Sequence, residues 1–367
     1  MRLKEVQGVK IGKKTSVDEL VRGLGGCAFG AGRLAEAVDI YEEMLQRGEG
    51  EKTTKFLGVA GALVPAGMRT VLAEMIRERL VDVVVTTGAN LVHDILEALG
   101  ERHYKIVGEA VGGADPGAAV DDVWLRGEGS DRIYDVIVRD EAFARLEDFL
   151  RGVFEKLGQR REEREEREKR AEREEREKRA EKKERQKRNS IRELTRAIGE
   201  SLSDPGSILR SAAESGVPVF CPAIADSMIG LHAWIYKQTS DLRVDAFEDM
   251  KELVDIFCEA KRTGVLILGG GVPKNFIFQT ALVAPPRVQG GDGGEEQERE
   301  REREGFDYAI QITTETPENG GLSGATLDEA KSWGKVGANA RAVTVYCDAT
   351  IALPIIVAAV RERTARV

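Results

Sequence analysis

The chain has 367 residues, of which 41% are hydrophobic. This is enough for one large domain or two modest domains with a buried core. The formal net charge of -9 argues against general nucleic-acid binding, which uses basic surfaces. The N-terminal residues contain no apolar signal core, and no apolar run reaches the ~20 residues of a membrane span. We therefore expect a soluble, cytoplasmic protein without a membrane partner.

The cysteines and histidines predict neither a disulfide framework nor a metal site. No CxxC spacing occurs, and the three histidines show no zinc-binding pattern. Three of the four cysteines, Cys221, Cys258 and Cys347, lie in apolar runs. These patterns indicate free, buried thiols in a reducing compartment.

The first predicted elements are two helices. Ser16–Glu19 is a capping box that starts a short helix, and Gly25 and Gly26 end it. A second, amphipathic helix follows, with apolar residues at spacings of four, three and four. Its apolar positions are Leu34, Val38, Tyr41 and Leu45.

The next residues alternate between strand, small-residue turn and helix. Lys55–Ala60 is a predicted strand before a turn and helix, and Val81–Val85 is another. This order is typical of a parallel α/β sheet, which binds ligands at the carboxyl ends of its strands. We expect one Rossmann-like domain with helices on both faces of the sheet. The strand pattern returns at Pro218–Ile224, Val265–Leu268, Tyr308–Thr313 and Val343–Tyr346.

Capping residues predict the remaining helices. Ser190–Glu193 is a second capping box, and Thr326–Glu329 caps a helix that leads to Lys335. A closing helix is expected over Thr350–Arg363. Two further helices are expected to begin at Asp204 and Asp245 and to end at Gly216 and Gly264.

Two charged stretches do not fit the α/β pattern, and we expect both to be surface insertions. The first insertion spans residues 158–189, of which residues 160–188 are almost all Glu, Arg and Lys, with a repeat of nine residues. Opposite charges three and four residues apart favour a solvated helix, and RNA or ribosome binding is the alternative interpretation. Residues 285–305 are rich in Gly, Glu and Arg and predict a surface loop.

Lys335 is the candidate nucleophile. It follows Trp333 and Gly334, and Glu329 lies six residues earlier. A neutral lysine amine is a nucleophile, a tryptophan face can hold a cation, and a glutamate can anchor an ammonium group. A solvated lysine at a helix end is the alternative, but tryptophan and glycine seldom surround such a lysine.

Three groups at predicted strand ends are candidates for nucleotide binding. The triplet Gly269–Gly271 follows an apolar strand and precedes a helix, which suits either a phosphate or a tight turn. Asp226 and Asp348 also follow apolar strands. Each could hold a ribose hydroxyl or cap a turn.

Five separated motifs give the chain a resemblance to the deoxyhypusine synthase family, from about Phe56 to about Val357. The resemblance implies NAD as cofactor and transfer of the aminobutyl group of spermidine to a lysine of the translation initiation factor 5A precursor. It also implies a homotetramer and an N-terminal helical arm over residues 1–50, followed by an NAD-binding domain over residues 51–367. The motifs are Phe56–Gly58 with Val85–Gly88, Pro218–Ala223, Ile267–Lys274, Ser332–Lys335 and Val345–Ala349.

The resemblance also implies the site residues. Lys335 matches the family nucleophile, which forms an imine, and the amine pocket corresponds to Trp333, Glu329, His93 and Asn275. No metal is implied. The positions that match NAD-contacting residues, or lie beside them, are Gly61, Ala62, Leu63, Thr87, Gly88, Ala89, Asp226, Gly270, Thr314, Glu315, Asp348 and Ala349.

The chain departs from the family at four pocket positions. Asn275 replaces a histidine, His93 replaces a glutamate, and Leu231 and Leu322 replace carboxylates. His93 and Glu329 are the remaining candidates for proton transfer, although His93 could also be a core histidine. The departures favour an alternative in which a homospermidine synthase-type enzyme moves an aminoalkyl group between small amines. A non-catalytic nucleotide-binding scaffold is the third hypothesis.

Overall fold

The structure is a computed structural model that describes residues 3–46, 52–107, 121–171, 189–284 and 305–365, with residues 160–171 described by their backbone alone. Most of the predicted insertions at 158–189 and 285–305 therefore lie outside the described residues. The backbone of residues 160–171 continues the helix that begins at Glu141.

The helices and strands alternate along much of the chain. The helices are α1 (Val17–Leu24), α2 (Phe29–Leu45), α3 (Arg69–Arg77), α4 (Gly88–Ala98), α5 (Asp122–Gly127), α6 (Glu141–Ala171), α7 (Ile191–Ser201), α8 (Ile208–Ser215), α9 (Met228–Tyr236), α10 (Ala246–Glu259), α11 (Gly271–Val283), α12 (Leu327–Ser332) and α13 (Ala349–Thr364). The strands are β1 (Thr53–Val59), β2 (Val83–Thr86), β3 (Tyr104–Lys105), β4 (Ser130–Ile133), β5 (Val136–Arg139), β6 (Asn189–Ser190), β7 (Val219–Phe220), β8 (Val244–Asp245), β9 (Arg262–Leu268), β10 (Phe306–Thr313) and β11 (Val336–Tyr346).

The chain divides into two units. The first consists of Met1–Gly61, Met75–Thr86 and Met250–Val367. The second consists of Ala62–Glu74 and Thr87–Asp249.

The first unit contains a parallel arrangement of strands. Five strands are hydrogen-bonded side by side in the order β11-β10-β9-β1-β2, and each neighbouring pair is parallel. Their apolar residues are buried because helices flank the sheet, which is typical of α/β proteins. The predicted α/β fold is confirmed.

A cluster of phenylalanines forms part of the core of the first unit. Phe306 of β10 lies 5.3 Å from Phe56 of β1 and 5.7 Å from Phe278 of α11, measured between ring centroids. Phe257 of α10 lies 5.0 Å from Phe306. Edge-on and tilted aromatic pairs of this kind add to the stabilisation from burial. The cluster anchors α11 on the strands, and this helix carries two residues of the candidate site.

The predicted N-terminal helices pack within the first unit. The capping box at Ser16 is confirmed, with both of its hydrogen bonds present. Arg363, buried on α13, donates hydrogen bonds to Asp18 of α1 and to Asp39 and Glu42 of α2, at 2.6, 2.8 and 2.7 Å. These bonds tie the first two helices to the last one.

The second unit is built around shorter elements. It contains an antiparallel sheet in the order β3-β5-β4 and a short parallel pair, β6 and β8. Asp94, fully buried on α4, accepts hydrogen bonds from Arg69 and from Ser207 and the backbone that opens α8. Burial nevertheless raises the pKa of the Asp94 carboxyl. The capping box at Ser190 is confirmed.

Two predicted helix boundaries are wrong. α8 is capped by Ser207, because Asp204 instead accepts a hydrogen bond from Gly206 in a turn and pairs with Arg69. α10 ends at Glu259, and Gly264 lies inside β9. Gly264 fits there because a Cβ at this position would lie 2.4 Å from Met44 Cε.

Candidate active site

Lys335 follows the short helix α12 and the glycine turn that ends it. Thr326 caps α12 by accepting a hydrogen bond from the Glu329 backbone, as predicted. Gly334 then adopts a left-handed conformation, with φ of 69°, which favours glycine at a helix end. The Lys335 backbone N–H bonds to Ala330 O at 3.0 Å, and β11 begins at the next residue. Lys335 is therefore held at the junction of a helix and a strand.

Lys335 lines a cavity of about 180 Å³ together with the other predicted amine-pocket residues of the first unit. Its Nζ lies 3.3 Å from Asn275 Oδ1 and 5.4 Å from the centroid of the Trp333 ring. Glu329 lines the same cavity. The structure thus brings Lys335, Trp333, Glu329 and Asn275 together, with a cation over an aromatic face.

The cavity wall also contains apolar side chains. Leu322, Phe278 and Ala330 contribute to it, and Leu322 is 47% exposed. Glu329 is the one carboxylate among the described residues of the lining. With Glu329 as the one carboxylate and Leu322 in the wall, this lining is less suited to a second ammonium group.

Lys274 is a site residue that the sequence analysis missed. Its side chain is buried, and its Nζ donates to Gln311 Oε1 at 3.0 Å, to Leu322 O at 3.1 Å and to Ala325 O. Burial lowers the pKa of this lysine to about 8, against the attraction of Glu329. The sequence signal was its position directly before Asn275, after the glycine triplet.

Gln311 is a second missed residue. It is fully buried on β10, where an apolar residue is expected, and its Nε2 donates to Gly269 O at 3.0 Å and to Ser323 O at 2.8 Å. These bonds join the glycine triplet to the glycine-rich loop before α12. The glycine triplet and this loop touch directly, since a Cβ at Gly270 would lie 2.4 Å from Ser323 Cα.

Six predicted cofactor residues lie at one edge of the sheet in the first unit. The strands are parallel and nearly in register, with Val59 opposite Leu268 and Leu268 opposite Ile312, so their carboxyl ends meet at this edge. Asp348 caps α13 there and accepts two hydrogen bonds from Thr350. The six residues are Gly61, Gly270, Thr314, Glu315, Asp348 and Ala349.

The other predicted cofactor residues belong to the second unit. Thr87 caps α4, and a Cβ at Gly88 would lie 2.4 Å from Ser227 Cβ, so the turns before α4 and α9 are in close contact. Asp226, next to Ser227, is exposed. Ala89, Ala62 and Leu63 complete this set, and the Leu63 side chain is buried at 6% exposure.

His93 lies at the end of a chain of hydrogen bonds in the second unit. His103 Nδ1 is 2.8 Å from Glu97 Oε1, and His103 Nε2 is 2.9 Å from His93 Nδ1. Burial lowers the pKa of His93 to about 4, assisted by repulsion from His103. The tautomers of the two rings set which of them donates the hydrogen bond between His93 Nδ1 and His103 Nε2.

Metal, membrane and disulfide features are missing from the part of the chain that the structure describes. No group of three metal-ligating residues occurs there, and no helix is long and apolar enough to cross a membrane. All four cysteines lie in this part and are free. The predicted burial is confirmed for Cys221, whereas Cys258 and Cys347 are partly exposed.

The parallel strands and the lysine-lined cavity define an α/β protein with a candidate amine-handling site. The profile of the family described as deoxyhypusine synthase matches residues 19–360. The chain belongs to the deoxyhypusine synthase family and is a transferase, which confirms the predicted resemblance.

Archaeal relatives cover nearly the whole chain. A protein of Methanosarcina acetivorans named "Probable deoxyhypusine synthase 1" is 52% identical over 98% of this chain and 96% of its own length. A protein of Archaeoglobus fulgidus with the same name is 40% identical over 98% of both chains. A crystal structure of an Entamoeba histolytica protein provisionally named deoxyhypusine synthase matches with a TM-score of 0.56 at 17% identity, covering 96% of each chain. This last similarity supports the fold.

Proposed function

We propose that the protein is a deoxyhypusine synthase. It transfers the aminobutyl group of spermidine through an imine at Lys335 to a lysine of the translation initiation factor 5A precursor. The observation that carries the proposal is the cavity in which Lys335 lies beside Asn275, Trp333 and Glu329. The family membership supports the same activity.

Each cavity residue has a role that follows from its chemistry. The Lys335 amine attacks the carbon–nitrogen double bond of the oxidised donor, and 1,3-diaminopropane leaves with its nitrogen. The acceptor lysine then attacks the Lys335 imine and releases the Lys335 amine. The Trp333 face and the Glu329 carboxylate bind the ammonium end of the donor. Asn275 orients the Lys335 amine by accepting its hydrogen bond.

NAD is the proposed cofactor, and it supplies acceptance and return of a hydride. The residues at the sheet edge fit such a group. α11 begins at Gly271, the last residue of a glycine triplet in which Gly269 and Gly271 have positive φ, and such a helix N-terminus suits a phosphate. The exposed carboxylate of Asp348 suits a ribose hydroxyl. We propose the same role for Asp226 and a backbone role for Thr87 and Gly88.

A homospermidine synthase-type reaction is the second candidate. It is favoured by the apolar wall at Leu322 and by the amide of Asn275 at the position of a family histidine. Such an enzyme would pass the aminobutyl group to a small amine. We further propose a homotetramer in the cytoplasm, with no membrane or nucleic-acid partner, in keeping with the net charge of -9.

Product analysis separates the two candidates. The protein is incubated with NAD and spermidine, with the factor precursor, 1,4-diaminobutane, both or neither as acceptor, and assayed for diaminopropane, homospermidine and mass added to the precursor. Mass on the precursor supports the deoxyhypusine synthase activity. Diaminopropane with homospermidine and an unmodified precursor favours the second candidate, and no diaminopropane under any condition contradicts both.

Trapping tests the nucleophile directly. Borohydride added during turnover should attach the aminobutyl group to Lys335, as located by peptide mass spectrometry. Lys335→Arg should abolish transfer, because a guanidinium stays protonated and cannot attack, while NAD binding should change little. Lys331→Arg is the matched control, since Lys331 lies on α12, the short helix that precedes Lys335, and pairs with Asp328. Full transfer by Lys335→Arg would refute the mechanism.

A further inference from the structure

Lys274 occupies an unusual position for a lysine. It lies in the first turn of α11 and is 4% exposed. Burial disfavours an ammonium group, and so does the positive end of a helix dipole. An ammonium that persists in such a place needs partners for its protons.

Three oxygen atoms match the three protons of the Lys274 ammonium. They are Gln311 Oε1, Leu322 O and Ala325 O. Gln311 cannot turn its oxygen elsewhere without losing the bonds from its Nε2 to Gly269 O and Ser323 O. Two of the three acceptors are therefore backbone carbonyls of the glycine-rich loop, and the third is a side chain fixed by that loop.

The loop, residues 321–325, borders the cavity around Lys335. Leu322 and Ala325 line the cavity, and Thr326 directly after the loop caps α12. This helix carries Glu329 and ends at Ser332, two residues before Gly334. A shift of the loop would consequently move a cavity wall and the helix that leads to the nucleophile.

We propose that Lys274 is a positioning residue that pins the loop 321–325 through its ammonium group and so holds the cavity around Lys335 in its reactive shape. Its neighbour Asn275 contacts Lys335 Nζ, so one helical turn holds both the nucleophile and the opposite wall. The catalytic part of this inference rests on the proposed function, whereas the pinning of the loop does not.

The hydrogen bonds by which Lys274 holds the loop should depend on pH. Burial lowers the pKa of Lys274 to about 8, and among the described residues Glu329 opposes and Lys335 assists this shift. Above that pH the neutral amine has two N–H groups for three acceptors, and its lone pair faces a carbonyl oxygen. The loop should therefore be held most firmly below about pH 8.

Hydrogen exchange of the loop measures the pin without reference to activity. The backbone N–H groups of Gly324 and Ala325 bond to Gly321 O, so the peptide that spans them reports loop order. In the wild-type protein, its protection factor should fall about tenfold between pH 7 and pH 9.5. Lys274→Arg keeps a charged donor and should keep the protection at both pH values, whereas Lys274→Met should lose it at pH 7.

Kinetics test the positioning role. Lys274→Met should lower kcat for transfer by about tenfold or more with a smaller change in KM, and Lys274→Arg should recover part of it. Lys331→Met is the matched control and should keep wild-type exchange and kinetics. If the protection factor of the loop in the wild-type protein is the same at pH 7 and pH 9.5, the proposed role of the Lys274 ammonium in holding the loop is overturned. This comparison is valid even if Lys274→Met does not fold. If Lys274→Met changes the hydrogen exchange of the loop but leaves kcat unaltered, the positioning role in transfer is overturned. If the loop exchange behaves as expected but the wild-type enzyme is inactive with spermidine, only the proposed function is contradicted.

Discussion

Arg363→Met should sharply destabilise the first unit. The guanidinium is 2% exposed and bonds to three carboxylates, of which Asp18 is fully buried while Asp39 and Glu42 are 56% and 29% exposed. Removing one partner of a buried pair costs about 3–5 kcal/mol, because the remaining charge stays buried. The exposed pairs add little, at about 0–1 kcal/mol each. We therefore expect the free energy of unfolding to fall by about 3–5 kcal/mol, mainly through Asp18.

Arg361→Met is the matched control on the same helix. Arg361 pairs with Glu78, and the two side chains are 35% and 47% exposed, so its loss should cost no more than about 1 kcal/mol. Both variants are unfolded in urea at pH 7 and followed by far-UV circular dichroism. Equal destabilisation by the two substitutions would refute the argument from burial.

The pH dependence of Arg363→Met provides a further check. Burial alone would raise the pKa of Asp18, but the bonds from Arg363 and Arg22 lower it below its ordinary value of 3.8. The stabilisation from this carboxylate is thus complete above about pH 4 and is lost as the pH falls through the lowered folded-state pKa. The difference between wild-type and variant should narrow in acid, and a constant difference would contradict the assignment to Asp18.

Three more predictions concern the candidate sites. The pKa of His93 is lowered from 6.5 to about 4, so the free energy of unfolding should fall by up to about 3 kcal/mol as the pH drops from 6.5 to 4. An NMR titration, with His93→Gln to assign the signal, should show a neutral His93 ring at pH 5.5. Burial raises the pKa of Cys221 to about 12, so a thiol reagent at pH 8 should label this residue only after unfolding, and rapid native labelling would contradict the buried geometry. Gly270→Ala should cost about 1–3 kcal/mol and reduce transfer, because the new methyl group meets the Ser323 backbone. The control Gly30→Ala has no atom within 4 Å of the new Cβ and should not reduce the melting temperature.

Local patterns in the sequence were sufficient for most elements. The capping boxes at Ser16 and Ser190 and the cap at Thr326 form as predicted, since the partners lie three residues apart in the chain. Apolar runs likewise predicted β9 and β10, because strands buried on both faces need such runs. The sequence also predicted that Lys335, Trp333 and Glu329 belong together, because they lie within seven residues of each other in the chain.

Contacts between distant segments could not be predicted in this way. Gly264 was expected to end a helix, yet it lies inside β9 against Met44, which is over 200 positions away in the chain. Lys274 and Gln311 were missed because their burial and partners depend on a loop that reaches them through the fold.

The sequence by itself determined the family, the parallel α/β fold and the identity of the candidate nucleophile, because periodicity, caps and short motifs are local in the chain. The tertiary structure decided which carboxylates and carbonyls surround each buried cation. For Lys274 and Arg363 these partners come from separate elements, and their distances and desolvation exist only after the chain has folded.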